Sequence, residues 1–296
     1  MKFGIIGNLQ KPTLEKVCRH LLGLLHEQKI PYCLEESLAR WLSVRDIQLE
    51  IGPADYYEDV ILPGKCDVLI ALGGDGTMLT AARLVGNRKT PILGINLGKL
   101  GFMAEASVDE LDSAITEVVR HETWIDERMV LEVHAEGSRK VYFALNDVVI
   151  DRGMSPRVLT LETYVDDDSL LSLAADGIIC TTPTGSTAYS LASGGPIIIP
   201  QSKVIAITPI SPHTFTARPV VVPETSILRV VVSSAAKPVH LIADGQAEEF
   251  FDPPVTFTIQ RADYCVNLIK RKNSSYFDLL REKLLWGSDI RVTKKS

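Results

Sequence analysis

One stretch constrains this chain more than any other. The apolar run Cys66–Leu72 passes without a break into Gly73, Gly74, Asp75, Gly76 and Thr77, and then into the helical pattern MLTAARLV. A short, mostly apolar strand is one covered on both faces, as in a parallel sheet. Three glycines in four positions let backbone approach a ligand closely and take dihedrals that other residues avoid. Their N–H groups and the positive end of the following helix form a cradle for phosphate. Asp75 does not suit a simple phosphate cradle. A carboxylate there repels phosphate unless it holds a metal, grips a sugar hydroxyl or takes a proton. The plain structural alternative is a tight turn with Asp75 as a helix cap. The whole five-residue string at the end of a buried strand favours the functional reading.

Around this feature the chain alternates strand and helix. Residues Lys2–Gly7 predict a strand, Asn8–Pro12 a turn, and Leu14–Gln28 a helix with Leu14, Val17, Leu21, Leu22 and Leu25 on one face. Pro91–Asn96 predicts a second buried strand and Asp109–Arg120 another helix. The expected fold is an α/β domain over residues 1–122 with an open parallel sheet, its ligands beyond the carboxyl ends of the strands.

Near Thr123 the texture changes to short β-rich runs: Met129–Ala135, Lys140–Leu145, Arg157–Tyr164, Leu170–Leu173, Gly177–Cys180, Lys203–Ile207, Ile227–Val232, Val239–Ile242, Val255–Ile259 and Cys265–Ile269. Such spacing suggests a β-rich, sandwich-like domain over 123–270. A helix is expected at Gly185–Ala192 and a last one at Phe277–Leu285, within a segment, 271–296, that packs back on the first domain.

Composition narrows the function classes. The 296 residues are 46% hydrophobic and 23% charged, enough for a real core. The formal net charge is -6, so no general basic field favours nucleic acid, and any phosphate site must be built locally. The start MKFGIIGNLQKPT reads as a first strand rather than a signal peptide, and no apolar run is long enough to span a membrane. Five scattered cysteines without a CxxC read as small buried hydrophobes in a reducing, cytoplasmic setting.

Four further strings carry chemistry. GINLGKLGFM, residues 94–103, follows an apolar strand, but it is neither a P-loop nor GxGxxG. Asn96 there is either a ligand contact or a turn-stabilising side chain. LNDVVI places Asn146 and Asp147 in an apolar strand, where regular pleating sends them to opposite faces and leaves one in need of a buried partner. A ribose diol would serve; a strand end at a domain interface is the alternative. DGIICTTPTGSTAYSLASGGPII, residues 176–198, sets Asp176 beside a hydroxyl-rich turn suited to a base and its ribose. ADGQ, residues 243–246, read alone, is a hairpin turn.

Together these strings resemble the NAD kinase family, closely its bacterial form. GGDGT is shared with diacylglycerol and sphingosine kinases, and phosphofructokinases have a similar string. The order of GGDGT, NLGKLGF, Asn146-Asp147, Asp176–Pro196, TPISPH at Thr208–His213 and Asp244–Gln246 is more specific, and the resemblance covers nearly the whole chain. It implies phosphoryl transfer from ATP or polyphosphate to the 2′-hydroxyl of the adenosine ribose of NAD, giving NADP, with a divalent cation such as Mg²⁺. Asp75 takes the place of the general base. Gly73, Gly74, Thr77 and Asn96 belong to the nucleotide-binding turns, and Gly76 matches a position that contacts NAD. Asn146 and Asp147 match the pair on NAD sugar hydroxyls, Asp147 standing where the family usually has the longer Glu. Arg157, Ala174, Asp176 and Gln246 match contact positions; at Ala174 some bacterial members have Arg. Thr184 and the stretch Thr187, Ala188, Tyr189, Ser190, Leu191 and Ala192 match the surroundings of the base. The resemblance also implies a homo-oligomer, dimer or tetramer. Two rival readings remain at this level: a lipid or other small-molecule kinase, and a sensor that binds NAD(P) without turnover.

Overall fold

A computed structural model of the chain describes residues 1–45, 47, 49, 51–99, 101–233, 238–272 and 275–285. Strands β1 (Phe3–Gly7), β2 (Tyr32–Glu35), β3 (Tyr56–Tyr57), β4 (Val68–Gly73), β5 (Ile92–Asn96) and β6 (Ala106–Ser107) interleave with α1 (Leu14–Glu27), α2 (Glu36–Ser43), α3 (Asp75–Val85) and α4 (Leu111–Val119). The strands are parallel, in the order β5-β4-β1-β2-β3. That order reverses between β1 and β4, so a crevice opens beyond their carboxyl ends.

Both faces of the sheet are covered, which is why β4 and β5 are buried at every residue. Leu14, Leu21 and Leu25 of α1, Leu38 of α2 and Ile115 of α4 pack on Phe3, Ile5, Ile70 and Leu93. Met78, Ala81, Ala82 and Val85 of α3 pack on the other face, against Ile6, Leu69, Ala71 and Ile92. α3 starts at Asp75, three residues earlier than the apolar pattern showed, because Gly74 takes the extended cap position. β2 and α2 escaped the sequence reading. The strand is four residues long and enters the helix with no turn residue between.

The remaining strands are β7 (Thr123–Ala135), β8 (Val141–Ala144), β9 (Asp147–Asp151), β10 (Leu159–Val165), β11 (Asp168–Ala175), β12 (Gly177–Thr181), β13 (Val204–Ile210), β14 (Val220–Pro223), β15 (Leu228–Val232), β16 (Val239–Ala243), β17 (Ala247–Phe251) and β18 (Val255–Arg271). A six-stranded sheet, β14-β13-β12-β9-β16-β17, faces a layer made by β11, β10, β15, β18, β7 and β8. Between them lies an apolar core that includes Leu131, Ile150, Leu161, Ile178, Leu241 and Phe257. The fold is thus an α/β region with a parallel sheet followed by a β-rich sandwich.

Two local expectations fail. Val255–Ile259 and Cys265–Ile269 are not separate strands. They form the single 17-residue β18, whose charged middle is a bulge between Arg261 and Cys265 opposite β7. Its far half pairs in parallel with β5 at Leu268 and Ile92, so one sandwich layer and the parallel sheet are one 12-stranded sheet. The helix expected at Gly185–Ala192 is instead a 3₁₀ turn, Thr184–Thr187, and a single turn α5 (Tyr189–Ala192), broken at Ala188 with ψ -128°. The last helix is α6 (Tyr276–Leu284), anchored by buried Leu280; residues 286–296 of the final segment lie outside the described residues.

Candidate active site

The turn after β4 is shaped by its own side chains. Gly73 stands in register with Asn96 across β4 and β5. A β-carbon on Gly73 would overlap the Thr77 hydroxyl, so only glycine fits beneath that side chain. Thr77 and Met78 give their N–H groups to the Gly74 carbonyl, which leaves those of Asp75 and Gly76 as the ones with no acceptor one turn earlier in the helix. The turn borders a cavity of about 370 Å³ lined by Gly7 and Asn8 from the end of β1, by Lys11, and by Gly74, Gly76 and Thr77. Glu35 and Asp59 also line it. The cavity lies at the point where the strand order reverses, and it offers backbone N–H groups, a helix N-terminus and one lysine to an anion.

Asp75 is not the helix cap. It is the first residue of α3, and its carboxylate reaches across to the second glycine-rich string. Oδ2 accepts the Phe102 N–H at 2.9 Å and Oδ1 the Met103 N–H at 3.1 Å. A carboxylate has about four acceptor positions, so these two bonds leave others for a ligand. Asn96 is buried and serves its own turn, accepting from the Gly98 N–H at 3.3 Å and donating to the Gly98 carbonyl at 3.4 Å. Leu100 lies outside the described residues.

The second half of the site is a strand end. Asn146 precedes β9 and Asp147 opens it; Asp147 is buried. The buried Asn146 Oδ1 has no hydrogen-bond partner among the described residues. Such an orphan acceptor costs stability unless something donates to it, and a ribose hydroxyl is a fitting donor. Burial, reinforced by the nearby Asp244 carboxylate, pushes the Asp147 pKa up to about 7.

Asp244 carries a role that the sequence did not reveal. It sits at φ 55° in the β16–β17 turn, followed by Gly245 at φ 64°. Its carboxylate accepts the backbone N–H groups of Leu145, Asn146 and Asp147 at 2.8, 2.7 and 3.2 Å. Two residues on, the Gln246 side-chain amide donates to the Gly76 carbonyl at 2.9 Å and to the Thr80 hydroxyl at 3.2 Å. The glycine turn of α3 and the Asn146–Asp147 strand end are therefore joined through one hairpin turn. An Asp-Gly pair between two strands signals the turn; nothing in sequence signals which N–H groups the carboxylate meets.

The hydroxyl-rich segment is mostly spent on its own fold. Thr181 Oγ1 donates to the Asn146 carbonyl at 2.9 Å, and Thr182 Oγ1 to the Leu145 carbonyl at 2.6 Å. Ser186 Oγ donates to the Pro183 carbonyl, Ser190 pairs with Thr208, and Thr184 accepts from the buried Arg128. Only part of the run faces outward: Thr187, Ala188 and Leu191 are half-buried, and Tyr189 and Ala192 are exposed. Burial and the Asp151, Asp176 and Asp147 carboxylates raise the Tyr189 pKa. Asp176 is engaged by Arg152, whose Nε donates at 2.6 Å, a partner that no sequence pattern marked. Arg157 is exposed, with its backbone N–H on Ser155 Oγ, and the Ala174 carbonyl accepts the His213 N–H at 2.8 Å. These two positions are not joined to the hydrogen-bonded centre described above. Among the described residues no group of three His, Cys, Asp or Glu side chains comes together to hold a metal ion.

Known proteins resemble this chain over nearly its whole length. Residues 3–123 match the model of the ATP-NAD kinase N-terminal domain, and residues 145–271 that of the ATP-NAD kinase C-terminal domain. The NAD kinase of Bacteroides fragilis is 38% identical over 297 aligned positions, covering 99% of this chain and 100% of the relative. That of Chlorobium limicola is 38% identical, covering 98% of each. The crystal structure of yeast NADH kinase complexed with NADH superposes with a TM-score of 0.90 at 27% identity, covering 99% of this chain and 90% of that one. An NAD kinase from Archaeoglobus fulgidus, in complex with ATP, shares the fold with a TM-score of 0.74 at 22% identity, over 96% of this chain and 99% of that one. With both domain models matched in order and full-length relatives on either side, the chain belongs to the NAD kinase family.

Proposed function

We propose that the cavity beside α3 takes the phosphates of the donor, and that Asn146, Asp147 and the Tyr189 segment hold NAD with its adenosine ribose turned toward Asp75. The activity is transfer of a phosphoryl group to NAD, forming NADP. The observation that carries the residue assignment is the bond from Gln246 to Gly76, which makes the phosphate-binding turn and the hydroxyl-binding strand end one unit.

The chemistry follows. The ribose 2′-oxygen attacks the γ-phosphorus of ATP, the bond from that phosphorus to the β–γ bridging oxygen breaks, and ADP leaves. Asp75 takes the proton of the hydroxyl as attack proceeds, a contribution of about 10²–10⁴-fold in rate. Its two backbone N–H bonds hold the carboxylate in one orientation. Backbone N–H groups of the glycine turn and Lys11 meet charge on the phosphates. A divalent cation such as Mg²⁺, when bound, would be held by the Asp75 carboxylate and the donor phosphates, and would supply neutralisation of the charge that develops there. A homo-oligomer, dimer or tetramer, is part of this reading; the fully exposed Met154 and Phe215 are apolar side chains available to it. A cytoplasmic setting agrees with five unpaired cysteines.

The test is conversion of NAD or NADH with ATP, with polyphosphate, with neither, and with or without Mg²⁺, beside diacylglycerol and sphingosine as rival acceptors. NADP formation that requires a donor supports the reading. Labelled lipid without labelled NADP, or NAD binding without turnover, defeats it.

A further inference from the structure

Asp244 belongs to a turn that does not need its charge. The three-residue loop between Ala243 and Ala247 contains a β-turn closed by the Gln246 N–H on the Ala243 carbonyl, and its two central residues at positive φ would be well served by Asn-Gly. The structure has an acid there instead, half-buried near a second, buried acid, Asp147. Two close carboxylates in a buried place are costly, so the charge needs a compensating use. That use is visible. The carboxylate collects three consecutive N–H groups, from Leu145 to Asp147, and its own N–H returns to the Asp147 carbonyl at 3.0 Å. The backbone that carries Asn146 Oδ1, an atom without a partner among the described residues, is thereby held by Asp244 through four hydrogen bonds. Gln246, in the same turn, grips the first turn of α3 through Gly76 and Thr80.

We propose that the Asp244–Gln246 turn is a clasp that sets the acceptor-binding strand end in register with the phosphoryl-transfer turn, with Asp244 as a positioning residue. The proposal rests on the assignment of Asp75 and the Asn146–Asp147 pair made above. Neither Asp244 nor the Gln246 amide needs to touch a reacting atom. The clasp spans the two regions that the reaction must bring together, and small errors in such placement cost roughly 10²-fold in rate.

The clasp also has an electrostatic signature. The charged and titratable groups that act electrostatically on Asp244 are Asp147, Arg83 of α3 and Tyr264 of β18, and Tyr189 acts with Asp147. Removing the Asp244 charge lifts a repulsion from Asp147 and lowers its pKa. In the wild-type enzyme an acid limb of kcat/KM for NAD is expected near pH 7, because the ionised Asp147 is the better hydroxyl acceptor.

The experiment compares wild type, Asp244→Asn and Gln246→Leu in NADP formation across pH, with circular dichroism and thermal melting on each. Asp244→Asn keeps the turn, but its amide nitrogen cannot accept, so part of the three-fold cradle is lost. Its kcat should fall roughly 10²-fold and its acid limb should move to lower pH. Gln246→Leu should lose kcat with the limb in place. A merely structural role would lower the melting temperature and leave kcat and the limb alone. A kcat within about two-fold of wild type in either folded variant overturns the proposal, as does an unmoved limb in Asp244→Asn. If Asp244→Asn does not fold, the kcat of Gln246→Leu decides. Wild-type enzyme that makes no NADP defeats the functional reading instead, so the two failures are distinct.

Discussion

Gly101 crosses the Asp75 carboxylate so closely that a β-carbon on it would overlap Asp75 Oδ1. The glycine is required by that neighbour, since its backbone is not in the left-handed region. Gly101→Ala must either turn Asp75 aside or lift the 101–103 backbone off it. The expected result is a folded protein, destabilised by about 1–3 kcal/mol, with kcat lower by roughly 10²-fold. Melting curves and steady-state kinetics measure both. Unchanged kcat would show that the position of Asp75 is immaterial to the reaction.

Asp75→Asn separates chemistry from architecture less cleanly than a cap substitution would. Asn has one side-chain acceptor oxygen for two backbone N–H groups, those of Phe102 and Met103, so one bond is lost. Some stability should go with it, about 1 kcal/mol or more. NADP formation should fall much further, by about 10²–10⁴-fold, while NAD binding by calorimetry is largely kept. A defect in proton removal lowers kcat and survives raised Mg²⁺; a metal defect raises the Mg²⁺ requirement. Near wild-type turnover in a folded variant removes Asp75 from the mechanism.

Asp147 links stability to pH. Its carboxyl is raised in the fold from 3.8 to about 7 by burial and by Asp244. Between those values the folded state binds more protons than the unfolded one, so stability is fully present below pH 3.8 and is lost as pH rises toward 7. The slope from one such group is at most about 1.4 kcal/mol per pH unit. Asp244 is raised too, chiefly by burial, and the two titrate as a pair. Urea unfolding from pH 4 to 8 should show wild type losing stability across this window and Asp147→Asn losing less. Equal slopes would place the titrating group elsewhere.

Product should compete with substrate. NADP differs from NAD by one phosphate at the hydroxyl that faces Asp75 in this reading, so the same Asn146–Asp147 contacts remain available to the rest of the molecule. Initial rates over a range of NAD at fixed NADP or NADPH should show competitive inhibition. Its absence at every concentration tested would argue for separate sites.

Much of this was legible in one dimension. The buried run Cys66–Leu72 ending on glycines, the helical face from Leu14 to Leu25, and the β-rich runs after Thr123 each depend on residues a few positions apart. Period, propensity and turn chemistry act over that range. The sequence therefore determined the α/β character of the first region, the β-rich character of the second, and the phosphate-suited turn at Gly73–Thr77. Tertiary structure decided the partners. Asp75 bonds to amides 27 and 28 residues away, Gln246 to Gly76 across 170 residues, and Asp244 to the amides at 145–147. The hydroxyls from Thr181 to Ser190 could be recognised as a group, but which were consumed by carbonyls and which left exposed was not written in their spacing. The bulge that makes β18 one strand was hidden for the same reason, because Arg261 and Asp263 look like a turn until β7 is beside them. Burial and hydrogen-bond pairing are properties of surfaces brought together by chain closure, so no local pattern carries them.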